Sequence, residues 1–157
     1  MNKVLIVNDC RFESIIIRDI INTLGYTVKI TNEYGAIREI KEFSPNIVIA
    51  NLIMKDTTGD KLLERIRQVD SNIYGILSSC NPIYLDNYKS KGVDNVIQTP
   101  VNIAALKKVL ALKNEKQEGD NSNSNFSFCP YCGEKIDVQQ FKFCPYCGNK
   151  FNIYREL

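Results

Sequence analysis

Along residues 1–113 the chain alternates short apolar runs with longer stretches whose apolar residues recur at helical spacing. Lys3–Val7 reads as a buried strand. Residues 11–24 place Phe12, Ile16, Ile20 and Leu24 at i,i+4 spacing beside Ile15 and Ile17, with Gly25 as the stop, and predict a helix. Residues 26–31 alternate as a strand, and 33–43 are helical. A third strand follows Pro45 over 46–52, and Gly59–Val69 is a helix with Leu62, Leu63 and Ile66 facing inward. Residues 73–78 and 94–97 read as strands, and 101–113 as a closing helix. Between those last two strands, Asn81-Pro82 reads as an N-cap followed by proline at the first helical position. Five β-then-α repeats imply a doubly wound, flavodoxin-like parallel sheet with helices on both faces. In such folds ligand sites lie at the carboxyl ends of the strands.

The pattern breaks at residues 114–125, NEKQEGDNSNSN, which contain no apolar side chain and can bury nothing to offset their ordering entropy. They read as a flexible linker with a span of about 20 Å. The expected organisation is therefore a domain over 1–113, a linker over 114–125 and a small module over 126–157. Aromatic residues are segregated, eight of fifteen lying in the module, where rings can build a minimal core.

Composition narrows the chemistry. The 157 residues are 44% hydrophobic and 24% charged, with formal net charge +2, which argues against a strongly nucleic-acid-binding or polybasic chain. No apolar run approaches the roughly 20 residues that span a bilayer, and the N-terminus lacks the apolar core of a signal peptide. No membrane association and a cytoplasmic address are expected. Histidine is absent, which removes the commonest general base and the commonest nitrogen ligand for metals.

The residues at the strand ends carry the next inference: Asn8 and Asp9 after the first strand, Asn51 at the end of the third, Ser78 at the end of the fourth, and Thr99-Pro100 after the fifth. With the segments VLIVND (4–9), PNIVIANLIMKDTTGD (45–60), GILSSC (75–80) and GVDNVIQTP (92–100), the first 113 residues resemble a response-regulator receiver domain. The resemblance implies an aspartate that accepts a phosphoryl group, an acidic pair that helps hold Mg²⁺, and a hydroxyl and a lysine on the phosphoryl oxygens. Those positions fall on Asn51, on Asn8 and Asp9, on Ser78, and on Thr99. The family's aromatic switch position falls on Val96. Only Asp9 and Ser78 keep the family's chemistry. A carboxamide cannot replace a carboxylate as the nucleophile of an acyl phosphate. Mg²⁺ is usually bound through one or two carboxylates, and one remains, so Mg²⁺ is not expected. No lysine offsets phosphoryl charge at Thr99. The expectation is a pseudo-receiver, not an enzyme, or a merely decayed site in which Asn8 and Asn51 hydrogen-bond neighbouring loops.

By the same resemblance, partners would dock on the face made by the fourth and fifth helices and the fifth strand, about residues 82–92 and 96–113. Ile83, Tyr84, Leu85 and Tyr88 are its candidate apolar contacts, some of which must instead be core. Asp60 reads as a helix cap or a solvated side chain, Asp56 as a loop residue, Cys10 and Cys80 as ordinary thiols, and Lys107-Lys108 as the wet face of the last helix.

The module repeats one pentapeptide, Cys129-Pro-Tyr-Cys132-Gly133 and Cys144-Pro-Tyr-Cys147-Gly148, in the spacing C-x2-C-x11-C-x2-C. Two such turns supply four thiolates for one structural Zn²⁺ per chain. Each glycine follows its second cysteine, where a left-handed backbone aims N–H groups at sulfur. The module resembles a zinc ribbon of the double CPxCG type. A rubredoxin-type iron site, a disulfide pair and a redox C-x-x-C use the same residues and stay open beside zinc. Over residues 119–157 four basic residues are offset by four acidic ones, so a protein partner is expected in preference to nucleic acid.

The whole reads as a non-catalytic signalling or assembly adaptor. The rivals are a response-regulator-type transcription regulator whose ribbon contacts DNA, and a phosphorelay protein with an unconventional acceptor such as Asp9 or Asp56. Oligomeric state is not legible.

Overall fold

The computed structural model describes residues 2–117, together with residues 127–128, 132–133, 135–136 and 146–148. The chain divides into two compact units, residues 1–113 and 114–157. In the first, β1 (Lys3–Val7), α1 (Arg11–Thr23), β2 (Thr27–Thr31), α2 (Ala36–Phe43), β3 (Ile47–Asn51), α3 (Gly59–Val69), β4 (Tyr74–Ser79), β5 (Asn95–Gln98) and α4 (Ile103–Gln117) follow in order. The five strands form one sheet in the order β2-β1-β3-β4-β5, and every pairing is parallel. This is the five-stranded α/β architecture expected from the β-α repeats.

Strand alternation sorts the core into two layers. Val4 and Ile6, Ile47 and Ile49, and Ile76 face a layer completed by Ile17 and Ile21 of α1 and by Leu106, Val109 and Leu110 of α4. Leu5 and Val7, Val48 and Ala50, and Leu77 face the other, completed by Ala36 and Ile40 of α2 and Leu62, Leu63 and Ile66 of α3. Strands buried on both faces read as continuous apolar runs, as β1 and β3 do. Within α1 the buried stripe is Ser14, Ile17 and Ile21, with Ile20 and Leu24 packed beside it. Phe12, which opened the spacing read from sequence, is instead 75% exposed.

The largest departure from expectation lies between β4 and β5. The helix expected after Asn81-Pro82 is replaced by two short 3₁₀ turns, Leu85–Asn87 and Lys89–Lys91. The segment NPIYLDNYKSKG is rich in Asn, Asp and Ser, whose side chains compete for backbone groups. Gly92 ends it with φ 76°. Ile83, Leu85 and Tyr88 pack partly buried against the second core layer, so of the four residues expected on a docking face only Tyr84 is fully exposed. Val96, at the expected switch position, also packs against that layer. Helix α4 runs to Gln117, four residues into the stretch read as linker.

Asp60 is neither solvated nor a simple cap. It is 5% exposed in the first turn of α3, and Lys91 Nζ donates to its Oδ2 at 2.7 Å. A second ion pair joins Arg67 of α3 to Asp94, whose Oδ2 also accepts from Gly75 N at 2.9 Å. Together the two pairs strap the irregular segment onto α3. Burial alone would raise the pKa of Asp60, but the Lys91 ammonium and the backbone N–H of Lys61 outweigh it, and the pKa lies below the ordinary 3.8. A depressed folded pKa contributes stability above the unfolded value, lost as pH falls through the folded one. The stability advantage of wild type over Asp60→Asn at neutral pH should therefore shrink below about pH 4 in urea titrations. A constant difference across that range would contradict the assignment.

Candidate functional site at the carboxyl edge of the sheet

The sheet order brings five of the singled-out residues together. Asn8 and Asp9 follow β1, Asn51 ends β3, Ser78 lies in β4 and Thr99 follows β5, along neighbouring strands β1-β3-β4-β5. Asn51 and Ser78 are direct register partners, and Leu52 N donates to Ser78 O at 2.7 Å. Thr99 N donates to Ser79 O at 2.8 Å, which fixes the β5 end against β4, and the Thr99-Pro100 peptide is cis.

Each side chain then has a local account. Asn8 is 5% exposed. Its Nδ2 donates to Glu13 Oε2 at 2.6 Å, and its Oδ1 accepts from Cys10 N at 2.9 Å. Both halves of the amide are used, and a carboxylate could not make the first bond. Asn51 Nδ2 donates to the Ile53 carbonyl at 2.8 Å, again a bond that an ionised carboxylate cannot make. Ser78 is buried and its Oγ makes a long 3.4 Å contact to Ala50 O. Thr99 is buried with Oγ1 unpaired. Asp9 is exposed at the rim. The edge thus carries two amides locked into loop hydrogen bonds, two buried hydroxyls and one exposed carboxylate.

The loop after β3 is pressed against the strand. Gly59 N donates to Leu52 O at 2.9 Å, and a Cβ at Gly59 would collide with the Asn51 carbonyl and lie 2.8 Å from Leu77 Cδ1. The Ile53↔Thr58 bridge closes the loop into a tight turn. Sequence reasoning did not single out Glu13 or the Ile53 carbonyl as the partners of the two asparagines. A glutamate in the first turn of the helix after Asn8 was the available signal for one; a backbone acceptor leaves none.

Of the four module cysteines, Cys132 and Cys147 are described, each in a turn followed by a glycine of positive φ, 79° at Gly133 and 76° at Gly148. Cys129 and Cys144 lie outside the described residues. Two short antiparallel strands, β6 (Ser127–Phe128) and β7 (Lys135–Ile136), bracket the first turn. Among the described residues no helix is long and apolar enough to cross a membrane.

The Asn51 hydrogen bond gives a direct prediction. Asn51→Asp removes the donor and sets a carboxylate oxygen against the Ile53 carbonyl, which should cost about 1 kcal/mol in denaturant titrations at neutral pH. An unchanged or higher stability would show that the amide is not holding the loop.

Comparison with known proteins agrees with this architecture. The family model described as the response regulator receiver domain matches residues 4–111. Over 79 residues the chain is 34% identical to the chemotaxis protein CheY of Thermotoga maritima, covering 49% of this chain and 66% of that protein. Over 116 residues it is 26% identical to the sensor histidine kinase RcsC of Salmonella typhi, covering 72% of this chain and 12% of the kinase. The chain therefore spans just under two thirds of the first relative and a small part of the second. A CheY-like receiver domain from Methanospirillum hungatei superimposes with TM-score 0.67 at 21% identity, covering 76% of this chain and 99% of that one, which speaks for the fold. Through residues 4–111 the chain belongs to the response regulator receiver domain family of two-component signal transduction.

Proposed function

We propose that the chain is a non-catalytic signalling or assembly adaptor whose receiver unit binds a protein partner without being phosphorylated. The observation that carries this reading is the Asn51 amide donating to Ile53 O at 2.8 Å, where the family's resemblance calls for a nucleophilic carboxylate. A neutral amide engaged as a donor has no oxygen anion to attack phosphorus. Asn8 is spent on Glu13 and Cys10 N, leaving Asp9 as the one carboxylate at the positions of the Mg²⁺ shell. Thr99 offers a hydroxyl in place of a cation, so charge building on a phosphoryl group would go unbalanced. A phosphorylation switch needs a ligand that distinguishes two conformations, and this edge supplies no means of acquiring one.

The second unit fits a structural zinc ribbon in the chemistry of its donor set. Both second cysteines stand before left-handed glycines, and the β6–β7 pair places the first of these turns at a hairpin tip. Four thiolates fill a tetrahedral site and leave no open position, so the metal would cross-link the fold and perform no reaction. With so few residues, the unit would depend on that metal to fold. The balanced charge of residues 119–157 favours a protein partner over DNA.

Incubation with acetyl phosphate followed by intact-mass spectrometry tests the receiver reading. Wild type and Asn51→Asp should gain no efficient phosphorylation, whereas Asn8→Asp with Asn51→Asp and Thr99→Lys should take up one phosphoryl group. Rapid uptake by wild type would overturn the proposal, and rapid uptake by the single variant would refute the need for the cation. For the second unit, elemental analysis of anaerobically purified protein should find one zinc per chain, lost in Cys144→Ser. Iron in its place, or no metal, would contradict the assignment.

A further inference from the structure

A cavity of about 580 Å³ opens beside the carboxyl edge, on the side of edge strand β2 and away from Ser78 and Thr99. That volume lies within the range of small-molecule sites. Its walls come from the ends of β1, β2 and β3 and the chain that follows each. Arg11 opens α1, Tyr34 lies between β2 and α2, and Lys55 lies between β3 and α3. Asn8, Asp9, Ile30 and Glu33 also line it.

Two features distinguish it from an incidental groove. First, its cations are available. Among the described residues, neither Arg11 nor Lys55 has a side-chain ion pair or hydrogen bond. Asp9 and Glu33 bring two carboxylates to the same lining, Glu33 held by Asp56 N, and an anion seated between Arg11 and Lys55 would relieve the repulsion of the two cations. Second, its walls are tied in place. Asn32 Oδ1 accepts from Tyr34 N and Gly35 N, both at 3.1 Å, which fixes the loop carrying the tyrosine. Glu33 Oε1 accepts from Asp56 N at 3.3 Å and joins that loop to the one carrying Lys55. The cavity therefore needs little ordering on binding.

The remaining lining defines the rest of the ligand. Tyr34 is 66% exposed, an apolar ring left in water with nothing covering it among the described residues, and Ile30 lies on the same cavity. A flat heterocycle would cover that ring. Asp9, an acceptor-only carboxylate, would suit the hydroxyl or amino donors of the same molecule. We propose that this cavity binds a mononucleotide, its phosphate between Arg11 and Lys55 and its base against Tyr34. The cavity shares Asn8 and Asp9 with the carboxyl edge and uses neither Asn51, Ser78 nor Thr99.

Titration calorimetry of the full chain with AMP, GMP and UMP, and with adenosine and inorganic phosphate alone, tests it. At least one mononucleotide should bind with Kd below about 1 mM, and adenosine and phosphate at least tenfold more weakly. Arg11→Ala and Lys55→Ala should each weaken the nucleotide about tenfold, and Tyr34→Ala should weaken it while leaving phosphate unaffected. Lys107→Ala, on the outer face of α4, should change nothing. The proposal fails if no mononucleotide saturates. It fails equally if phosphate alone binds as tightly, or if the three cavity variants bind like wild type.

Discussion

Burial of the central strands on both faces is the constraint from which the rest of the structure follows. β1 and β3 carry apolar side chains toward α1 and α4 on one side and toward α2 and α3 on the other. A sheet covered in this way has no room for polar chemistry within its strands, because an unpaired polar group there costs several kcal/mol, about 2–7 by transfer. Polar residues therefore collect where the strands end. Parallel pairing puts all those ends on one edge, which brings Asn8, Asn51, Ser78 and Thr99 together although they are far apart in sequence.

What occupies that edge is chemically distinctive. Two of its side chains are amides, and each is used as an amide, donating to Glu13 in one case and to the Ile53 carbonyl in the other. Carboxylates at those positions would face an acceptor across a hydrogen-bond distance, and would need a cation between to be stable. Without the carboxylates the loops close on themselves. The same economy appears on the far side of α3, where Asp60 and Asp94 are held by Lys91 and Arg67. Those pairs fasten the irregular segment alongside the packing of Ile83, Leu85 and Tyr88 against the core.

Much of this was legible in the sequence, and the failures have identifiable causes. The strands were readable because doubly buried strands are continuous apolar runs, and IVIAN ends with Asn51 where the burial ends. Family membership was readable from four segments in order. The helix expected after Asn81-Pro82 was misread because an N-cap signal states where a helix can begin, not whether its interior will sustain one. Phe12 was misplaced because the apolar spacing through α1 fits two overlapping stripes, and only the sheet decides which is buried. The Asp60–Lys91 pair joins residues thirty-one apart with no local pattern to announce it. The cavity beside β2 was invisible for a similar reason, since Arg11, Tyr34 and Lys55 meet only once β1, β2 and β3 are laid side by side.

The central claim is that the carboxyl edge does not switch. It is tested most directly by backbone amide NMR of the full chain during titration with Mg²⁺ and beryllofluoride, a stand-in for a phosphoryl group on a carboxylate. The account predicts that amides around Asn51, Ser78 and Thr99, and those of residues 85–98, keep their chemical shifts throughout. Saturable shifts at the edge that spread to Val96 and the 3₁₀ turns would contradict it, by showing that the site still binds the mimic and transmits the event.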